Sequence, residues 1–241
     1  MKRIFIILAM FFTACGGAQT NVRQESSFKV EHRGAMREMF TKNNIGGNIP
    51  LADFRDKQHL FAVAPLENLS GEITILDGVP YISSIRDNSV SVEKTWDAKA
   101  IFMVWAQVAE WSETDVPGNV KTYAELERFV AEAAKNAGID TTEPFPLKLK
   151  GTPKKADWHI NDYAADGSPV TREKHDQAKF KGTLENEAAE IAGFYSDKHA
   201  GVFTHHTTNM HLHIVSSSEK LAAHLDDIVL GENTKLFLPK P

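Results

Sequence analysis

The chain has 241 residues, of which 42% are apolar and 24% charged, with a formal net charge of −5, a composition that suits a globular protein with one sizeable core. The acidic balance argues against a nucleic-acid-binding protein, and a mean hydropathy of −0.31 argues against a polytopic membrane protein. Cys15 is the only cysteine, which excludes a disulfide framework and a cysteine-based zinc site.

The N-terminal segment has the features of a targeting signal. Two basic residues precede an apolar run, residues 4–12, that is too short to span a bilayer, and small residues lead up to Cys15. Residues 1–14 resemble a bacterial lipoprotein signal peptide, after which Cys15 would be acylated; a plain secretory signal and a buried first strand are the alternatives. We expect residues 15–28 to be a lipid-anchored flexible tether and residues 29–241 to be the folded domain. The predicted location is the bacterial cell envelope, on its periplasmic or outer-membrane face.

Strand signals dominate the domain. An Asp77-Gly78 turn between two apolar runs predicts a β-hairpin over residues 70–82. Short runs of apolar, β-branched or aromatic residues predict further strands at 60–64, 101–108, 147–149, 180–184 and 188–195. The domain is therefore expected to be α+β and predominantly β.

Helix signals are fewer. Thr122 and Glu125 form a capping box that begins the clearest helix, residues 122–137, and Gly138 stands where a C-terminal cap is expected. Apolar spacing also indicates a helix within residues 30–41. The remaining segments are interpreted as a loop at 45–50 and an exposed, polar excursion at 158–168.

The histidines are unevenly placed, since six of the ten lie between residues 199 and 224. His211 and His213 are two residues apart in an apolar stretch, so in a strand both side chains point to one face. A turn centred between residues 218 and 219 would bring the chain back and place His224 opposite His213. Three imidazoles can then converge, and three protein ligands with one open position are typical of a catalytic zinc site.

An alternative interpretation of the His-x-His pair stays open, and the adjacent pair His205 and His206 is interpreted separately. A His-x-His pair on a strand can simply be two solvated side chains. His205 and His206 are adjacent, so in a strand they would face opposite sides, and we interpret them as loop residues or as groups that support the ligands.

Three blocks within residues 60–227 resemble the α-acetolactate decarboxylase family, in the same order along the chain. That family has a His-x-His pair and a third histidine eleven residues on, all binding zinc, and this is the spacing described above. Residues 193–196 resemble its Gly-Phe-Trp-Ser segment. Residues 69–73 resemble the segment whose glutamate, here Glu72, lies at the active site, and Lys148 stands where the family has an arginine.

The resemblance implies an α+β, predominantly β fold with two sheets and a metal site between them. It implies conversion of 2-acetolactate to acetoin and carbon dioxide, with Zn²⁺ held by His211, His213 and His224. Glu72 would act as general acid/base or face the metal, and Lys148 would receive the substrate carboxylate. The expected partner is a small hydroxy-keto acid and not a nucleic acid, and a homodimer is one assembly considered.

Three departures from the family's pattern keep alternatives open. Lys148 replaces an arginine whose planar fork a lysine does not reproduce. Pro65 stands where the family has a threonine, and Glu232, the only glutamate after His224, does not align with the family's second active-site glutamate. The alternatives are a paralogue acting on another hydroxy-keto acid and a non-catalytic zinc-binding lipoprotein, in which His206 or Glu72 would close the metal site.

Overall fold

The computed structural model describes residues 27–164 and 166–241. The predicted signal peptide, Cys15 and the predicted tether up to residue 26 lie outside the described residues. Within the described part, no helix has the length and apolar character needed to cross a membrane.

The described chain forms sixteen strands and three α-helices, numbered here in chain order. The strands are β1 (Val30–Arg33), β2 (Ile49–Pro50), β3 (Leu60–Pro65), β4 (Glu72–Leu76), β5 (Val79–Arg86), β6 (Ser89–Glu93), β7 (Lys99–Ala100), β8 (Met103–Gln107), β9 (Trp111–Asp115), β10 (Phe145–Gly151), β11 (Lys155–Asn161), β12 (Lys179–Leu184), β13 (Ala189–Tyr195), β14 (Met210–Ser216), β15 (Ala222–Val229) and β16 (Lys235–Pro239). The helices are α1 (Met36–Thr41), α2 (Tyr123–Asn136) and α3 (Arg172–Gln177), with short 3₁₀ turns at Leu51–Phe54 and Glu67–Leu69.

Two antiparallel sheets form the body of the domain. A six-stranded sheet has the order β1-β8-β3-β4-β5-β6, and an eight-stranded sheet has the order β12-β11-β15-β14-β13-β10-β16-β9. The short strands β2 and β7 pair separately. The predicted α+β, predominantly β fold with two sheets is confirmed.

The predicted hairpin is present as β4 and β5. Leu76 pairs with Val79, so only Asp77 and Gly78 form the loop. Both have positive φ, 47° and 79°, as a type I′ turn requires. The turn type fixes the register of the two strands, and through it the face on which each β4 side chain lies.

The predicted long helix is present as α2. The Thr122 hydroxyl accepts from the Glu125 N–H, and the Glu125 carboxylate accepts from the Thr122 N–H, which completes the capping box. Leu126 and Val130 are fully buried against the outer face of the eight-stranded sheet. Gly138 ends the helix with a φ of +81°.

Side-chain alternation on β14 decides which residues lie between the sheets. Leu212 and Ile214 pack in the cluster beneath α2, whereas Val215 packs in the cluster that both sheets share. Because successive strand residues alternate, His211 and His213 lie on the face of Val215. The predicted histidine pair therefore points into the layer between the sheets.

Strand β4 presents the opposing surface from the six-stranded sheet. Ile73 and Ile75 pack in the cluster on the far side of that sheet, whereas Leu76 packs between the sheets. Glu72 and Thr74 share the face of Leu76 and so point at the eight-stranded sheet. Two polar side chains of β4 are thus buried opposite the histidines of β14.

Two sequence predictions of local structure need correction: the helix indicated within residues 30–41 is present only over its second half, and the segment predicted to be exposed at 158–168 begins inside a strand. Residues 30–33 form an edge strand paired with β8, and Gly34, with φ +70°, separates that strand from a helix that covers only Met36–Thr41. Residues 158–161 are not exposed but belong to β11, paired on both sides. Trp158 and Ile160 pack in the cluster beneath α2, so the alternating His159 and Asn161 face the layer between the sheets.

Candidate metal centre

Strand pairing places the predicted histidines in one row across the eight-stranded sheet. His213 pairs with His224, as predicted from the turn position. His224 pairs in turn with His159 of β11. On the other side His213 pairs with Ala192, which pairs with Lys148 of β10. Residues directly opposite one another share a face, so the imidazoles of this row point in one direction.

The rings of the three predicted ligands lie near one another, but the group whose donor atoms all lie within 4.8 Å of one another consists of His205, His211 and His224 and does not include His213. The ring centroids of His211 and His213 are 5.2 Å apart, those of His211 and His224 are 5.1 Å apart, and those of His213 and His224 are 5.5 Å apart. All three rings are buried. Gly193 of β13 permits this arrangement, because a Cβ there would lie 1.9 Å from the carbonyl oxygen of His211.

A hydrogen bond sets the orientation of His213. Thr74 Oγ1 lies 2.9 Å from His213 Nδ1, across the two sheets. The other ring nitrogen, Nε2, is buried with no hydrogen-bond partner and lies 3.8 Å from Glu72 Oε2. A buried nitrogen without a partner is destabilising unless a ligand completes it, so this atom fits a metal ligand whose other nitrogen is held by a supporting group.

Burial controls the charge of the cluster. It lowers the pKa of His211, His213 and His224 well below the ordinary value of 6.5, and neighbouring imidazoles lower it further. The rings are therefore neutral at neutral pH, which is the form that donates a lone pair to a metal.

Glu72 is the buried carboxyl of the site. Burial raises its pKa well above 4.5, against the lowering effect of its hydrogen bond with Asn161. Asn161 Nδ2 donates to Glu72 Oε1 at 2.5 Å, and His175 Nε2 donates to Asn161 Oδ1 at 2.9 Å. One carboxyl oxygen is thus fixed by β11, while the other faces His213.

Two groups that support the cluster come from β11 and β15. Asp226 Oδ1 lies 2.7 Å from His159 Nδ1 and 3.3 Å from His224 Nδ1. The rings of His159 and His224 are 4.5 Å apart between centroids. Asp226 therefore forms a hydrogen bond with His159 and lies beside the ring of His224, whose Nδ1 has no hydrogen-bond partner.

Sequence reasoning missed several residues of this site, among them Thr74, His175 and Arg172. His159 and Asn161 lie in the segment predicted to be exposed, although the alternation Trp158-His159-Ile160-Asn161 is the period of a strand. His205, interpreted as a loop or supporting residue, offers a ring nitrogen within 4.8 Å of those of His211 and His224.

A cavity beside the cluster is lined by both apolar and polar side chains. Its lining residues include Glu72, His159, His205, His211, His224, Asn161, Met36, Met39, Phe40, Pro65 and Phe102. Its cationic side chains are Arg172 and Lys179. Lys179 pairs with Asp176 at 2.7 Å, and the Arg172 guanidinium lies 4.9 Å from the centre of the Phe40 ring.

Lys148 is not brought to this cavity. It lies two strands from His213 along the row, about 10 Å at the usual strand spacing. Its ammonium lies 4.9 Å from the Trp111 ring centre and 3.8 Å from Glu190 Oε1. Aromatic rings and a carboxylate surround the ammonium, and Lys148 is not among the residues that line the cavity. The carboxylate-binding role of Lys148 stays a prediction.

Acidification is expected to destabilise the metal-free protein. Burial lowers the pKa of His175 and of His205 from 6.5 to about 4. Between these values the unfolded chain takes up protons that the folded chain refuses, so each of these histidines is expected to lower the free energy of unfolding by about 2 kcal/mol at pH 5. Glu72 has the opposite effect on the free energy of unfolding, because its raised pKa stabilises the folded state as the pH falls toward 4.5.

Urea unfolding of the metal-free protein at pH 7 and pH 5 measures this effect. A His175→Asn variant serves as the control and should show a smaller loss between the two pH values. A His175→Asn variant that loses as much unfolding free energy as the wild type between pH 7 and pH 5 would contradict the lowered pKa of His175.

Comparison with known proteins assigns the chain to a family. Residues 38–238 match the family model of alpha-acetolactate decarboxylase. The chain belongs to the alpha-acetolactate decarboxylase family. A search of curated proteins finds no significant match.

Solved structures share the fold of this alpha-acetolactate decarboxylase family member. Alpha-acetolactate decarboxylase from Bacillus subtilis strain 168 is 16% identical, with a TM-score of 0.68 over 88% of this chain and 86% of that one. Acetolactate decarboxylase from Bacillus subtilis subspecies spizizenii gives 16% identity and a TM-score of 0.69 over the same shares. A Staphylococcus aureus protein of unknown function, described as similar to alpha-acetolactate decarboxylase, gives 15% and 0.66 over 88% of this chain and 85% of that one.

Proposed function

We propose that this chain is a zinc-dependent enzyme, anchored in the bacterial cell envelope, that decarboxylates 2-acetolactate to acetoin and carbon dioxide. The observation that carries the proposal is the grouping of the buried His211, His213 and His224, whose ring centroids lie 5.1–5.5 Å apart, with the carboxyl of Glu72, which lies 3.8 Å from His213, beside a cavity in a member of this family. The chemistry requires such a site, because the electron pair of the breaking C–C bond must be accepted next to the carbon that loses carbon dioxide.

His211, His213 and His224 would hold the metal. When bound, Zn²⁺ supplies Lewis-acid stabilisation of the negative charge that develops on the ketone and hydroxyl oxygens of the substrate. The protein's own contribution is the rigid placement of the three rings on adjacent antiparallel strands, together with the Thr74 contact that holds His213.

Glu72 is placed to move the proton that the reaction needs. Loss of carbon dioxide leaves a carbon that must gain a proton before acetoin is released. Burial favours the protonated form of Glu72, and Asn161 fixes one carboxyl oxygen so that Oε2 faces the imidazole cluster. Glu72 Oε2 is therefore the atom proposed to deliver the proton.

Arg172 is the proposed group for the substrate carboxylate. The cavity lining includes Arg172 and Lys179 but not Lys148, and Lys179 is already paired with Asp176. A guanidinium can hold a carboxylate through two parallel hydrogen bonds. The apolar lining, to which Met39, Phe102 and Pro65 contribute, would pack against the alkyl groups of the substrate and exclude water.

Substitution of Arg172 and of Lys148 tests which of these two side chains binds the substrate carboxylate. Arg172→Met is expected to raise KM for the substrate by about ten- to a hundredfold, the usual effect of losing a hydrogen bond to a charged group. Lys148→Met should change KM less than about threefold, since its ammonium lies among aromatic rings outside the cavity. Steady-state kinetics of both variants measure this, and the reverse order of effects would support the role predicted for Lys148.

The decisive experiment assays acetoin. Purified full-length protein is loaded with zinc, incubated with racemic 2-acetolactate, and compared with the metal-stripped protein and the spontaneous background. Acetoin that depends on zinc supports the decarboxylase. If the zinc-loaded protein gives no acetoin, the decarboxylase proposal fails.

A second candidate function is decarboxylation of another hydroxy-keto acid. It is favoured by Arg172 on α3, which would bind a carboxylate at a different place from a cation on β10, and by apolar Pro65 in the cavity lining. The same assay run with a panel of hydroxy-keto acids distinguishes the two. A zinc-loaded protein that turns over no member of the panel would leave a zinc-binding lipoprotein as the interpretation.

The envelope location rests on residues 1–15. The lipid anchor is tested by expressing the full chain and a Cys15→Ser variant in a bacterium supplied with a labelled fatty acid. Label and membrane association are expected for the wild type alone. Unlabelled wild-type protein would overturn this part of the proposal.

A further inference from the structure

A loop between β13 and β14 brings the imidazole of His205 to the candidate metal centre. His205 lies in residues 196–209, and backbone hydrogen bonds fix this loop at both ends. The Ser196 N–H donates to the Asn209 carbonyl, and the Gly201 N–H donates to the Thr204 carbonyl. The N–H of Met36 at the start of α1 donates to the Val202 carbonyl. The loop is thus held against the opening of the cavity.

The ring nitrogens of His205 lie at ligand spacing from the strand histidines. His205 Nε2 is 3.1 Å from His224 Nε2. Two nitrogens bound tetrahedrally to one zinc at about 2.0–2.1 Å are about 3.4 Å apart, which is close to this distance. The donor atoms of His205, His211 and His224 all lie within 4.8 Å of one another. This distance also suits a hydrogen bond between the two rings in the metal-free protein, and the grouping of three donor atoms is what points to a shared metal.

We propose that His205 is a fourth nitrogen ligand of the metal, supplied by the loop, in addition to His211, His213 and His224. The inference rests on the proposed metal site but not on the proposed substrate. A four-imidazole set suits zinc or another borderline divalent transition metal, such as copper or cobalt.

The neighbouring His206 offers a matched control. It is exposed, and its imidazole packs against Gly201 rather than toward the cluster. His205→Asn and His206→Asn change the same residue type in the same loop, at adjacent positions. A difference between them in metal binding therefore reports the side chain at 205 and not a general disturbance of the loop.

The test titrates the full-length, metal-free protein with Co²⁺ against a competing chelator and records the visible absorption bands of the bound ion. His205→Asn is expected to bind Co²⁺ at least about tenfold more weakly than the wild type and to show a shifted spectrum. His206→Asn should match the wild type in both. Thermal unfolding of the metal-free variants checks that both fold.

The outcomes separate this inference from the proposed reaction. Wild-type affinity and spectrum in His205→Asn would overturn it, as would a wild-type protein that binds no Co²⁺. If His205→Asn fails to fold, His205→Gln takes its place under the same criteria. A weakened His205 variant together with an inactive wild type would support the fourth ligand while rejecting acetolactate decarboxylation.

Discussion

His213→Ala is expected to remove both tight zinc binding and acetoin formation. His213 is fully buried, Thr74 holds its Nδ1, and its Nε2 is left facing the other imidazoles and Glu72. Loss of a direct ligand should exceed the tenfold to hundredfold weakening that follows loss of a supporting group. Zinc competition titration should show an affinity at least about a hundredfold lower, and acetoin should fall to the spontaneous background.

Thr74→Val provides the graded comparison for this prediction. Valine keeps the shape of threonine but removes the hydroxyl that contacts His213 Nδ1. The ring then loses its fixed orientation while the ligand atom stays, so zinc affinity should fall by about tenfold, less than in His213→Ala. Equal affinities in wild type and His213→Ala would show that His213 is not a ligand.

Glu72→Gln is expected to stop turnover while leaving the metal in place. A glutamine oxygen can still accept the hydrogen bond from Asn161 Nδ2, so the packing of the site is preserved. The amide cannot donate and regain a proton in the way a carboxyl does, and loss of a general acid typically lowers kcat by about 10²–10⁴. Acetoin kinetics and zinc content of the same sample measure both effects.

Three measurements make the Glu72 prediction specific. The zinc affinity of Glu72→Gln should stay within about tenfold of the wild type, since three histidines remain. The limb of the kcat–pH profile that reports Glu72 should vanish. Glu72→Asp, which shortens the side chain but keeps the acid, should recover part of the activity. Near-normal kcat in Glu72→Gln would assign the proton to another group.

Several parts of the fold were readable from the sequence because local chemistry fixes them. The Asp77-Gly78 pair can adopt the positive φ values of a two-residue turn, which sets the β4–β5 register. The capping box at Thr122 sets the start of α2. The spacing from His213 to His224, with a polar turn between, predicted the pairing that β14 and β15 adopt.

Other parts of the fold were predicted wrongly because their amino-acid composition is typical of a different local structure. The polar segment after Trp158 resembles an exposed loop in composition, yet its first residues are the buried end of β11. A strand that lines a polar site lacks the apolar residues that normally mark a buried strand. His159 and Asn161 were missed for this reason, although both contact groups of the candidate centre.

The sequence by itself determined the strand-rich class of this protein, its turns, its main helix and the histidine spacing, since these depend on residues close together along the chain. Only the tertiary structure decided that Thr74 and Glu72 face His213, 139 positions after Thr74, and that Lys148 lies apart while Arg172 lines the cavity. The physical reason is that packing of one sheet on another brings together side chains from distant segments. Neither local propensity nor periodicity encodes which of those side chains will meet.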